Sequence, residues 1–138
     1  MRSSIANAAA IAGSLFALTT AAAAQTPATA KPEEILKEVV AGMARGERQE
    51  VRVYTATLKP GDRTPFHTHR FPVAAYVREG AFTLELEGRP PVIVKAGEAI
   101  LEPPNVRMTG FNRAAENTRI VIFYVAEPGT PFLDMAHH

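Results

Sequence analysis

The sequence predicts an all-β domain, an antiparallel barrel or double-sheet jelly roll with a short N-terminal helix. Three observations carry that expectation. Beyond Glu50 the hydrophobic period changes to two, with Val51, Val53, Thr55 and Thr57 alternating against Arg52, Tyr54, Ala56 and Leu58. The strand candidates that follow are short and closely spaced. Their separators are Gly, Pro and Asn turn signals with no helical pattern between them.

Taken in order, residues 1–24 read as an export signal. Arg2 is the only charge before Lys31, an Ala-rich apolar stretch follows, and Ala22-Ala23-Ala24 before Gln25 supplies a small-x-small cleavage pattern. The alternative is an uncleaved anchor, disfavoured by weakly hydrophobic alanine and by Asn7, Ser14, Thr19 and Thr20. A periplasmic or secreted protein with no stable membrane anchor after cleavage is expected, its mature chain having 138 − 24 = 114 residues.

Residues 25–31, rich in Pro, Thr and Ala, are expected to be a flexible lead-in. Over 32–46 a helix is expected: Pro32-Glu33-Glu34 suits a first turn, and Ile35, Leu36, Val39, Val40 and Met43 form one apolar stripe up to Gly46. The barrel domain, with a C-terminal tail, is assigned to 47–138. After the first strand, which ends at Pro60-Gly61, strands are expected over 73–78, 81–87, 92–95, 98–102, 107–111 and 119–125. Phe82, Leu84 and Leu86 alternate with Thr83, Glu85 and Glu87, as on a strand with one wet face. Residues 120–125, Ile-Val-Ile-Phe-Tyr-Val, do not alternate, so their outer face is expected to meet the helix or a second subunit, and a homodimer is anticipated.

Composition removes several functions. The 15 basic and 14 acidic residues leave a net charge of +1 with no basic cluster, which argues against nucleic-acid binding. Zero cysteine excludes disulfides, thiolate metal sites and a cysteine nucleophile. Serine is confined to the expected signal, so the mature chain also lacks a serine nucleophile.

The chemistry is concentrated at His67-Thr68-His69. Residues i and i+2 of a strand share a face, so two imidazoles can converge on one atom, although a bare His-x-His is more often two hydrogen-bonded core histidines or a solvated edge. Weaker candidates are the terminal His137-His138 with Asp134, and Arg63, Arg70 and Arg107, which flank the motif residues and could meet an anion.

Gly61, five residues, His67-x-His69 and a later Gly80 resemble the first motif of the cupin superfamily. Gly97, five residues, Pro103-x-Asn105, then Met108 and Asn112 resemble its second. The resemblance spans roughly 51–125. It implies a cupin-type double-stranded β-helix (jelly-roll) barrel whose interior takes a divalent metal or a small organic ligand, usually in a homodimer. Where the metal-binding pattern has a glutamate this chain has Val73, and where it has a third histidine the chain has Met108.

Three readings of the site follow. His67, His69 and Met108 could form a soft donor set for copper. Alternatively, Glu102, at the end of the strand before Pro103, could complete a harder site for Fe, Mn or Ni. In the third, metal-free reading, His67 and His69 act as hydrogen-bonding or acid–base groups in an apolar pocket lined by Phe66, Phe71, Val73 and Met108. The expectation is a small-molecule or metal-binding protein. A metal-dependent dioxygenase or isomerase acting on a small organic acid or sugar is one alternative, and a structural or assembly module is another.

Overall fold

In a computed structural model of the chain, residues 26–137 are described. The export signal expected over 1–24 lies outside them. The chain divides at Pro32. In the N-terminal unit, residues 26–32 form neither helix nor strand. The unit from Glu33 onward contains nine strands: β1 (Glu50–Leu58), β2 (His67–Thr68), β3 (Val73–Glu79), β4 (Ala81–Leu86), β5 (Val92–Lys95), β6 (Ala99–Glu102), β7 (Met108–Phe111), β8 (Thr118–Ala126) and β9 (Asp134–Met135). They build two antiparallel sheets, one ordered β1-β8-β3-β6 and the other β5-β4-β7-β2-β9. The all-β, jelly-roll expectation holds, and its seven strands lie within about a residue or two of the observed ends.

Register explains how the interior is filled. In the four-stranded sheet the inward positions form cross-strand rows: Ala56, Ile120 and Val77; Tyr54, Ile122, Ala75 and Ile100; and Arg52, Tyr124, Val73 and Glu102. Leu58, Val77 and Ile120 from this sheet meet Phe82, Leu84, Leu86, Val94 and Met108 from the other in one apolar cluster. Each such side chain contributes about 1.5–3 kcal/mol when fully buried, which is how a domain without disulfides holds together. Two glycines are dictated by proximity. A Cβ on Gly110 would fall 2.2 Å from the Phe82 ring, and one on Gly80 (φ 76°) would fall 2.6 Å from the Asn117 carbonyl oxygen.

The helix expected over 32–46 does not form. Gly42 takes a left-handed φ of 83° inside the span; Ile35, Val39 and Met43 stay exposed and Leu36 and Val40 are only half-buried, so the apolar stripe is not buried as one helical face. A segment of that length without tertiary burial does not sustain a helix in water. The outer face of β8 is correspondingly not covered by a helix. The strand does alternate, with Ile120, Tyr124 and Ala126 buried and Phe123 46% exposed beside Val53 and Val51 of β1 at 58% and 69%. No helix among the described residues is long and apolar enough to cross a membrane.

Candidate metal or ligand site inside the barrel

The candidate site forms where the two sheets face each other at one end of the core. His67 comes from β2, which pairs β7 on one side and β9 on the other. His69 lies two residues on, in the link to β3. Its carbonyl accepts the backbone N–H of Asn105 at 2.7 Å, and Asn105, in the turn after Pro103-Pro104, takes the positive φ of 59° that its side chain tolerates. That turn follows Glu102, the last residue of β6, whose side chain points inward on the row of Val73 and Tyr124.

His67 Nε2 lies 3.1 Å from His69 Nε2, and His69 Nε2 lies 3.1 Å from Glu102 Oε2. The other nitrogens are committed to backbone. His67 Nδ1 is 2.6 Å from the Pro65 carbonyl and His69 Nδ1 is 2.6 Å from the Phe132 carbonyl. A carbonyl oxygen only accepts, so each Nδ1 carries the hydrogen, and in the neutral rings both Nε2 atoms present lone pairs. Two lone pairs and a carboxylate oxygen are thus brought together at residues only 5%, 1% and 7% exposed. Such a concentration of acceptors is costly without a proton or a cation among them. Among the described residues no group of three or more His, Cys, Asp or Glu forms a ready-made metal cage; the three groups stand as a chain with His69 in the middle.

Burial is the main cause that pushes the His67 imidazole below its ordinary value. The Pro65 carbonyl and Glu102 oppose the shift, and His69 adds to it. Tyr124 is fully buried, with its ring centroid 6.0 Å from that of His69, and desolvation raises its hydroxyl above the usual range. Phe132 packs against this group, with centroids 4.9 Å from His69, 5.5 Å from Tyr124 and 4.5 Å from Tyr54.

The other expected site residues are distributed as follows. Val73 is fully buried in the Glu102–Tyr124 row, and Phe71 is half-buried against the Val73–Tyr124 cluster. Met108 lies opposite His67 in the β2–β7 register, and its side chain belongs to the apolar core cluster. Phe66 does not line the interior: adjacent residues of an extended segment face opposite ways, and it lines a cleft of about 640 Å³ with Arg63, Pro65, Glu85 and Phe111 on the other side of the sheet. Arg70 forms a bidentate pair with Asp134 at 2.8 and 2.9 Å, and Arg107 pairs with Glu87 at 2.9 Å. His137 is exposed, and His138 lies outside the described residues. Phe132 and Tyr124 are the site residues that the motifs did not reveal. Tyr124 carried one available signal, the only polar group in the apolar run 120–125.

A family model described as "Cupin domain" matches residues 54–124, which contain both histidines and Glu102. The chain belongs to the cupin family. Solved structures repeat this cupin's fold. The DMSP lyase DddQ from Ruegeria pomeroyi superposes with a TM-score of 0.56 at 16% identity, over 62% of this chain and 43% of the lyase. A cupin-like protein from Thermotoga maritima gives 0.53 at 25% identity, over 62% of this chain and 64% of its own. The polyketide cyclase RemF from Streptomyces resistomycificus gives 0.53 at 26% identity, over 64% and 61%. This cupin therefore spans less than two thirds of each of these proteins. A comparison with curated proteins finds no match.

Two outcomes follow from this geometry. In metal-free protein the depressed His67 value means that the unfolded chain binds the proton more readily. Stability is then fully present above the ordinary histidine value of 6.5 and is lost as pH falls through the lower folded value. Thermal melts between pH 8 and pH 5 are expected to show a decline below 6.5 that His67→Gln reduces; equal slopes for the two proteins contradict it. For Met108, a core role predicts a loss of about 2–5 kcal/mol on Met108→Ala and under about 1.5 kcal/mol on Met108→Leu, read by denaturant unfolding. A large loss of metal uptake in the otherwise stable Leu variant would assign the sulfur to the ligand set instead.

Proposed function

We propose that this cupin binds a divalent transition-metal ion through His67, His69 and Glu102 and uses it inside the barrel to hold a small organic molecule. The observation that carries the reading is the pair of Nε2 lone pairs set against the Glu102 carboxylate, with both Nδ1–H groups spent on backbone carbonyls. Orienting a metal-binding imidazole by a hydrogen bond from its other nitrogen is the usual means of fixing its tautomer.

The donor set fits such an ion in kind, and the two contacts made by His69 fit it in spacing, while the three donors do not yet surround one point. Adjacent donors on a first-row metal, each bonded at about 2.1 Å, lie about 3 Å apart, close to the 3.1 Å of both contacts. Two imidazoles and a carboxylate suit Fe, Mn, Ni or Zn better than Cu(I), which favours the thioether that Met108 keeps in the core. Such an ion supplies Lewis acidity toward a bound oxygen. The protein's own part is to aim the imidazoles through their Nδ1 hydrogen bonds, to exclude water, and to present the Glu102 carboxyl group as the oxygen donor. The polyketide cyclase RemF among its structural neighbours is an enzyme, which supports catalysis, on a small organic acid or sugar, as the finer form of the reading. A second reading rests on the same 3.1 Å imidazole contact: one proton held between the rings makes a metal-free acid–base pair.

Titration calorimetry of chelator-treated protein with Fe(II), Mn(II), Ni(II) and Zn(II) separates the two. One equivalent is expected to bind, with a loss of more than about 100-fold on His69→Ala and about 10–100-fold on Glu102→Gln. Absence of binding, or binding indifferent to both variants, leaves the acid–base reading.

The reading also includes export, on the strength of the N-terminal pattern, and pairing of two copies through Val51, Val53 and Phe123 on the exposed sheet face. Light scattering at micromolar concentration is expected to give twice the chain mass, reduced to a single chain by Phe123→Lys. A monomer in the parent protein removes the pairing.

A further inference from the structure

The cleft on the outer face of the five-stranded sheet, about 640 Å³ in volume, falls within the size range of small-molecule sites. Its floor is β7, where Thr109 and Phe111 alternate with the buried Met108 and Gly110 and so point away from the barrel interior. One wall is the segment from Arg63 to Phe66. The other is the end of β4 with the turn toward β5 that carries Arg89. Both walls are fixed by backbone. Thr64 donates its N–H to the Gly110 carbonyl at 2.8 Å and accepts the Gly110 N–H on its Oγ1 at 2.9 Å. Across the cleft the Glu87 N–H donates to the Arg107 carbonyl at 2.9 Å and the Arg89 N–H to the Leu86 carbonyl at 3.1 Å. The cleft is therefore formed in the free protein.

Four charged side chains line it, and they are not equivalent. Glu85 is held by Arg113 at 2.6 Å and Glu87 by Arg107 at 2.9 Å, and neither of these arginines lines the cleft. Arg113 also lies over the Phe111 ring, 4.5 Å from its centroid, which fixes carboxylate and ring together. Arg63 and Arg89 enter no ion pair among the described residues. Of the three arginines that flank the histidine motifs, Arg70 and Arg107 are spent on carboxylates and Arg63 is not. With both glutamates neutralised from outside, the cleft presents two guanidiniums from opposite walls above a floor of one aromatic ring and one hydroxyl. A guanidinium matches the planar fork of a carboxylate, and the half-buried Phe111 ring offers stacking area to a flat apolar body.

We propose that this outer cleft is a second binding site of the protein, for a small aromatic carboxylate that lays its ring against Phe111 and is held by the charges of Arg63 and Arg89. The site draws on none of His67, His69 and Glu102, whose side chains are on the opposite side of the sheet, and it requires no metal ion.

The test titrates chelator-treated protein with benzoate and isophthalate by calorimetry, with neutral benzamide and ring-free acetate as controls. At least one of the aromatic acids is expected to bind, more tightly than either control. Its affinity is expected to fall about 10-fold in Arg63→Gln and in Arg89→Gln, the lower end for loss of a hydrogen bond between charged groups. Both arginines are exposed, so the thermal midpoints of the ligand-free variants are expected to match the parent's. Amide shifts in the nuclear magnetic resonance spectrum of labelled protein are expected to centre on Thr64, Arg89, Thr109 and Phe111. Shifts centred on His69 and Tyr124 assign the acid to the interior and overturn the proposal. So do failure of both aromatic acids to bind, benzamide or acetate binding as tightly as they do, unchanged affinity in either variant, or a melting point lowered by several degrees in both, which makes the arginines structural.

Discussion

The interior of this cupin depends on two hydrogen bonds that tie histidine Nδ1 atoms to backbone carbonyls, His67 to Pro65 and His69 to Phe132. Each removes one rotational choice and one tautomeric choice from an imidazole, and together they oblige both Nε2 atoms to look at the same small volume. The bonds come from opposite directions along the chain. Pro65 precedes β2 in the segment anchored by Thr64, whose N–H donates to the Gly110 carbonyl and whose Oγ1 accepts the Gly110 N–H. Phe132 lies 63 residues beyond His69. The site exists only when the C-terminal segment has returned to close over it.

That return is held by an assortment of contacts rather than by a long ladder. Gly129 donates to Glu50, the Thr130 carbonyl accepts from Arg52, Asp134 receives both arms of Arg70, and Ala136 donates to the Phe66 carbonyl. Exposed ion pairs such as Arg70–Asp134 contribute about 0–1 kcal/mol each. Their importance is positional, since they set where the Phe132 carbonyl and ring come to rest. The Phe132 ring then packs on Tyr54 and His69, converting a weakly held segment into part of the wall of a buried polar cluster.

A buried carboxylate beside two imidazoles works against stability unless every member has a partner. The fold accommodates it because the cluster sits at one end of the sandwich, while the apolar core from Leu58 to Ile120 occupies the rest. Met108 marks the border: its backbone is registered against His67, and its side chain continues the hydrocarbon packing. A methionine at that point separates the polar end from the core without adding a fourth donor. Val73 plays the same part in the opposite sheet, between Tyr124 and Glu102.

Local chemistry alone determined seven of the nine described strands, all but the two-residue β2 and β9. Alternation at Val51–Leu58 and Phe82–Glu87, and turn signals at Pro60-Gly61, Gly88 and Gly97, act over a few residues, so they are readable without knowing what packs where. The convergence of His67 with His69 was equally local, a matter of i and i+2 on one face. Partners set by long-range register were not legible. Its place at the end of the strand before Pro103 marked Glu102 as a candidate carboxylate, but only pairing with Val73 across β3 and β6 turns it inward. The same holds for Phe66, whose side of the sheet follows from the strand's orientation, and for Phe132, which reaches His69 only through the closing segment. The stretch over 32–46 failed in the reverse sense: its helical periodicity was genuine, but a helix needs a surface to bury its stripe, and the two sheets had already buried their inner faces against each other.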